Sequence, residues 1–214
     1  MGVKGEETRA RLIAGTRELI EAQGYFGTGL NRIVAATGAP RGSLYFHFPG
    51  GKDQLVAAAL TEAGQEVEAL LAALAAEGAD TAALAERLVE AFAARLAESD
   101  YTSGCPIATV ALETAGTNEP LRTVCAEVYG SWQQVLAGRL AAEGFGPAEA
   151  ETAAGQVLAL LEGAVLLASV RRSREPLDHA RYAVRQLLGR HGEQRRHGEQ
   201  GRRGGHSKPG NRDR

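Results

Sequence analysis

Residues 28–52 read TGLNRIVAATGAPRGSLYFHFPGGK, and their side chains suit contact with a phosphate-bearing duplex. Arg41 carries a planar guanidinium whose paired donors match guanine O6 and N7. Gly42 lets a helix backbone come close to a partner, and Ser43 can donate to a base or a phosphate. Tyr45 and His47 offer donors at phosphate reach, and Lys52 adds a positive charge at the start of the next helix. Thr28 is expected to cap the helix that follows it, where its hydroxyl and the first N–H groups suit another phosphate. Leu44, Phe46 and Phe48 are expected in the core, with stacking on a sugar as the alternative for Phe46.

These residues need helices to position them. Ala, Leu and Glu dominate the chain, and no segment sustains the period-two alternation of a half-buried strand, so the fold class is all-α. A first helix runs from Glu6 to Gln23, with Leu12, Ile13, Leu19 and Ile20 on one stripe and Gly24 ending it. Leu30, Ile33 and Val34 face the core from a short second helix that Gly38 closes. Pro40 suits the first turn of a third helix, which carries Arg41 to Phe46 and stops before Pro49. Helix, glycine-containing turn, helix is the layout that sets a second helix into a major groove. A long helix then starts near Lys52. Further helices are predicted over Thr81 to Glu98, Pro106 to Thr114, Pro120 to Glu143, Pro147 to Arg171 and Leu177 to Arg190. The run QVLALLEGAVLLASV, residues 156–170, is apolar nearly all round, as in a helix buried on more than one side, in a core or against a second subunit.

Charge is divided unevenly. The net charge of the 214 residues is −2. Residues 1–53 hold seven Lys/Arg and five Asp/Glu, and residues 54–188 hold nine and eighteen. Residues 189–214 hold eight and three. An acidic body between two basic ends raises the expectation of a polyanion partner. No uninterrupted apolar run approaches the roughly 18–20 residues of a membrane span, which excludes an integral membrane protein on this reading. Charges stand where a signal peptide would have its apolar segment, and two cysteines are too few for a disulfide scaffold, so a reducing cytoplasm is expected. Residues 191–214 are polar, Gly-rich and locally repeated. They read as a disordered basic tail, its charge adding non-specific DNA affinity.

Gly38 followed by Arg41-Gly42-Ser43-Leu44-Tyr45-Phe46-His47-Phe48 and Lys52 resembles the DNA-binding signature of the TetR/AcrR family of bacterial repressors, over residues 8–60. GCPIATVALETA, residues 104–115, is similar to the LmrA/YxaF-type branch. One departure stands out: many members have Ser or Thr before the basic residue, where this chain has Pro40. The resemblance implies a helix-turn-helix domain over residues 1–50 and a larger helical domain over residues 51–190 that binds a small molecule and dimerises. It also implies a homodimer on a pseudo-palindromic double-stranded operator, released by a small lipophilic or aromatic effector. Neither cofactor nor metal is expected, and no catalytic role. Phe92, Leu96, Ile107, Leu112, Trp132, Leu136 and Glu162 are the candidate pocket residues. Val157, Leu161, Val165, Ala168, Val184 and Leu187 are the candidate dimer residues.

Other chemistries compete at single positions. Cys105 is open to a nucleophilic reading, but a buried small hydrophobe fits it better, because no histidine or cation stands nearby in sequence to lower its pKa and His179 is the only histidine outside motif and tail. Trp132 fits a pocket wall or a core. Glu162 stands alone among apolar residues, and a buried carboxylate needs a partner: an arginine, a ligand or a wet interface. His191, His197 and His206 suit a flexible tail better than a metal site.

Overall fold

The computed structural model describes the backbone of residues 3–204 and the side chains of residues 4–189. Among the described residues the chain forms nine α-helices and no strand. They are α1 (Val3–Gly27), α2 (Leu30–Thr37), α3 (Arg41–His47), α4 (Gly51–Ala76), α5 (Thr81–Glu98), α6 (Pro106–Thr114), α7 (Glu119–Ala142), α8 (Pro147–Arg171) and α9 (Glu175–Gly204).

Local chemistry sets most of the boundaries. Gly24 adopts φ 72 and ψ 178, so α1 breaks there and takes one further turn to Gly27. Gly38 ends α2 in the left-handed region, at φ 61. Asp80 Oδ1 accepts from Ala83 N at 2.8 Å and caps α5. Asn118 Oδ1 accepts from Leu121 N at 3.1 Å and caps α7. Two expectations need correction. The N-cap of α2 is Gly29, which has no side-chain bond, rather than Thr28. Thr28 is fully buried and donates its hydroxyl to the Gly24 carbonyl at 2.7 Å, sealing the end of α1 instead. Pro40 stands one residue outside α3, as its N-cap.

Two cores form. Leu12, Ile13, Ile33, Ala39, Leu44, Phe48, Leu55 and Ala59 bring α1, α2, α3 and the start of α4 into a small N-terminal head. Ile20 joins the same helix α1 to the larger core, as Val56 and Leu60 do for α4, and that core draws on α5 to α9. Head and body therefore share two continuous helices, so tilting either helix moves both. In the body α8 packs on α7 and α9, α5 on α9, α4 on α7, and α1 on α6. Trp132 Nε1 donates to the Gly64 carbonyl at 3.0 Å, and a Cβ at Gly64 would sit 2.8 Å from Val128. The absent side chain there allows α4 and α7 to meet at van der Waals range.

Two further readings change. As a whole helix, α8 is long and apolar enough to cross a membrane by length and composition, which counting uninterrupted runs had concealed. Its inner stripe is buried in the body's core, as in a helix of a folded domain. The helix expected to stop at Arg190 continues as α9 to Gly204. The rest of the expected tail, residues 205–214, lies outside the described residues, as do the side chains of His191, His197 and His206.

Candidate DNA-reading surface and interior cavities

α3 stands proud of the head. Leu44 and Phe48 point inward and anchor it. Arg41, Gly42, Tyr45 and Phe46 are exposed, and Ser43 and His47 are half-buried. Phe46 is 73% exposed, which corrects its expected place in the core. Its ring packs edge-on against His47, with centroids 5.0 Å apart. A Cβ at Gly42 would meet no neighbour, so the protein's own packing does not require glycine there. A concavity of about 640 Å³ opens between α2 and α3, lined by Phe26, Gly29, Asn31, Arg32, Arg41 and Tyr45. Arg41 donates to the Asn31 side chain, and Arg32 to that of Gln23. Sequence reasoning missed Phe26, Asn31 and Arg32. For Asn31 and Arg32 the signal was two consecutive polar residues near the start of α2.

Lys52 sits elsewhere than an outward phosphate contact would. Its Nζ donates to the Tyr25 carbonyl at 2.6 Å and lies 3.6 Å from the centroid of the Tyr25 ring. Burial pulls its pKa down, against the carboxylates of Asp53 and Glu113. Tyr25 in turn donates its hydroxyl to Asp53 Oδ1 at 2.6 Å, and Asn118 Nδ2 donates to Asp53 Oδ2 at 2.8 Å. Burial, and then Asp53, push the Tyr25 hydroxyl up to about 12. Glu113 of α6 accepts the Phe26 N–H. A polar joint thus ties the end of α1 and the start of α4 to α6 and the cap of α7.

Two cavities of the body are lined by the expected pocket residues. The smaller, about 170 Å³, is lined by Phe92, Ile107 and Trp132, with Val67 and Leu70 of α4 and the side chains of Arg17, Glu66 and Arg95. Its charges are already matched: Arg17 pairs with Glu21 and Glu66, and Arg95 with Glu21. The larger, about 550 Å³, is lined by Glu162, Tyr129, Leu112, Leu166 and much of α6. Cys105 lines both. Five of the seven candidate pocket residues therefore face a cavity, though Leu112 is 77% exposed and forms a rim. Leu96 and Leu136 line neither and are buried in the core, which corrects that expectation.

Glu162 is the polar feature of the larger cavity. Its carboxylate oxygens are buried and have no hydrogen-bond partner. Burial pushes its pKa up to about 7, while the nearby Cys105 thiol and Tyr129 hydroxyl pull the other way. Burial, and then Glu162, push the Cys105 thiol well up, so it stays protonated. That removes the nucleophilic reading of Cys105. Among the described residues no three His, Cys, Asp or Glu side chains converge as metal ligands would.

The expected dimer residues lie mostly inside the protomer. Val157, Leu161, Val165, Ala168 and Val184 are buried in the protomer's own core, and Leu187 is half-buried. The outer face of α8 instead exposes Leu160, Leu166, Leu167 and Val170, beside Tyr182 of α9. A helix that is apolar all round carries two such stripes, and periodicity alone does not tell the inner from the outer.

Known proteins with these features are transcriptional regulators. Residues 12–59 match the model of bacterial regulatory proteins of the tetR family. Residues 82–183 match the C-terminal domain of LmrA/YxaF-like transcriptional regulators. The HTH-type transcriptional regulator LmrA of Bacillus subtilis is 33% identical over 184 residues, 86% of this chain and 98% of that one. The regulator YxaF of the same organism is 35% identical over 171 residues, 80% and 90% of the two chains. A TetR transcriptional regulator from Chloroflexus aurantiacus superposes with a TM-score of 0.72 and 31% identity, over 87% of this chain and 96% of that one. A TetR regulator from Legionella pneumophila has the same fold, with a TM-score of 0.76 and 20% identity over 87% and 97% of the chains.

Proposed function

This chain belongs to the TetR family of bacterial regulatory proteins, helix-turn-helix transcriptional regulators rather than enzymes, and on that premise we propose a ligand-responsive repressor that leaves a pseudo-palindromic operator when a small lipophilic or aromatic molecule enters its body. The observation that carries this reading is the pairing of an outward α3, bearing Arg41, Tyr45 and Phe46, with a largely apolar cavity in the same shared-helix frame.

α3 enters the major groove, with Arg41, Gly42 and Ser43 nearest the bases. The space around Gly42 leaves room for the groove edge. Tyr45 and His47 hold phosphates, Phe46 lies against a sugar, and Arg32 on α2 adds a second cation. Thr28 and Lys52 act behind this surface by holding the head's position, through the bonds to Gly24 and Tyr25.

The two-fold partner is a second copy of the chain. Leu160, Leu167, Val170 and Tyr182 give it an apolar face on α8 and α9, and two copies together form a four-helix packing. The fixed spacing of the two heads then matches successive major grooves on one side of the duplex.

Release runs through α6 as well as α4. α6 walls the larger cavity and, at its far end, holds the Phe26 N–H through Glu113. A ligand that favours one position of α6 shifts the end of α1 and changes the spacing of the heads. DNA selected from a random pool by the full chain, followed by affinity measurement across salt concentrations, tests the reading. A selected palindrome and a steep salt slope are expected. Failure to enrich any sequence overturns it.

A further inference from the structure

We infer that the larger cavity takes a lipophilic molecule with a hydrogen-bond-donating head, an ammonium or a phenolic hydroxyl, which docks on Glu162. The inference rests on the effector-binding reading above and adds the chemistry of the head group.

Apart from the Tyr129 hydroxyl and the Cys105 thiol, which flank Glu162, the side-chain donors of the cavity wall are already engaged within the protein. No lysine, arginine or histidine lines it. Thr109 has already donated its hydroxyl to the Cys105 carbonyl, Ser169 to the Val165 carbonyl, and Thr102 to the Ser99 carbonyl. The N–H groups of Ile107 and Ala108, at the start of α6, favour the thiolate form of Cys105. Glu21 also reaches this wall, but Arg17 and Arg95 neutralise it. Glu162 is left with two buried oxygens and no partner.

An unpartnered buried carboxylate is costly, and its protein cannot relieve that cost without a donor. Cys105 and Tyr129 flank Glu162 closely enough to lower its pKa, yet neither makes a hydrogen bond of good geometry to it. A ligand donor completes the site. The surrounding Ala108, Ala111, Leu112, Val165 and Leu166 take an apolar body. A carboxylate-headed ligand would meet Glu162 as a like charge wherever Glu162 is ionised, above its raised pKa of about 7.

The test uses the full-length protein and three probes on one apolar body: 4-phenylbenzylamine, 4-phenylphenol and biphenyl-4-carboxylate. Binding is followed by calorimetry and by the emission of Trp132, the sole tryptophan, whose ring meets Tyr129 edge-on with centroids 5.7 Å apart. The amine, the phenol or both should bind at least roughly tenfold more tightly than the carboxylate. Glu162→Gln should cost the amine roughly tenfold or more, and Glu162→Ala should reproduce the loss if the amide finds its own partner. Tighter amine binding identifies an ammonium as the head, and tighter phenol binding a neutral hydroxyl. A carboxylate that binds as well as the amine and phenol, a Glu162→Gln protein that keeps wild-type affinity for both, or no binding by any probe overturns the inference. Operator affinity measured on the same preparation separates this from failure of the regulator reading: a chain that still selects a palindrome has lost only the ligand chemistry assigned to it.

Discussion

The Glu113 carboxylate accepts the backbone N–H of Phe26 at 2.9 Å, across 87 residues of sequence. One partner lies on the wall helix of the larger cavity, the other at the foot of the reading head. Gly24 makes the contact possible. Its φ of 72 turns the chain, and a Cβ there would fall 2.0 Å from Glu113 Oε1. The bond therefore ties the wall of the larger cavity to the end of α1.

Glu113→Ala should leave the fold intact at a cost of about 1 kcal/mol, the size of one partly exposed hydrogen bond. Its larger effect should be on coupling. Operator affinity without ligand should stay near wild type, and release by ligand should weaken. Titrating operator DNA with and without a cavity-binding probe checks both, and undiminished release would show that α6 does not carry the signal.

Gly24→Ala combines a left-handed backbone position with a clash. It should destabilise the chain by about 1–3 kcal/mol in urea unfolding. The double variant Gly24→Ala/Glu113→Ala should recover part of that loss, because only the clash is relieved. Strict additivity of the two changes would mean that Gly24 and Glu113 do not interact.

Glu162 makes stability depend on pH. Its folded pKa of about 7 lies above the ordinary carboxylate value of 4.5, so the folded state holds the proton over a window where the unfolded chain releases it. Stability is then highest below that window and falls as pH rises from about 4.5 to about 7, by about 3 kcal/mol. Glu162→Gln should remove this fall and raise the melting temperature near pH 8. An unchanged pH profile in the variant would place the titration on another group.

Arg41→Ala and Lys52→Ala should behave differently. Loss of Arg41 should cost about 1–3 kcal/mol of operator affinity and relax the choice of base at one position. Lys52 holds the carbonyl and ring of Tyr25. Its loss should lower stability by about 1 kcal/mol and weaken DNA binding through the displaced head. Binding across salt concentrations discriminates: a slope flattened by about one unit in Lys52→Ala would place its ammonium on a phosphate after all.

The outer stripe of α8 should control assembly. Leu160→Asp with Leu167→Asp should give a folded monomer by light scattering and remove cooperative operator binding. Val157→Ala should instead open a core cavity, lowering stability by about 1–3 kcal/mol with the dimer retained. The opposite pattern would return the interface to the inner stripe.

Helix punctuation was plainly legible in the sequence. Gly38, Pro106, Pro147 and the apolar spacing of α1 and α4 placed their elements, because each rests on local backbone preference and period. The exposure of Arg41 and Tyr45 on α3 was legible from an ordered motif. What escaped depended on tertiary placement. The sequence of α8 reads the same from both sides, so its inner and outer faces could be told apart only once α7 and α9 had packed on it. Thr28 looks like a cap until Gly24 turns the chain and brings a carbonyl to its hydroxyl. The joint of Tyr25, Asp53, Glu113 and Asn118 spans four elements, and no spacing announces it. Glu162 was visible as an oddity, and packing shows that no arginine pairs with it.

The most direct measurement is the equilibrium affinity of the full chain for its selected palindrome, with and without a saturating probe known by calorimetry to occupy the cavity at Glu162. A fall of roughly tenfold or more is expected, lost in Glu113→Ala. An operator affinity unchanged at full occupancy would contradict the coupling of cavity and reading head.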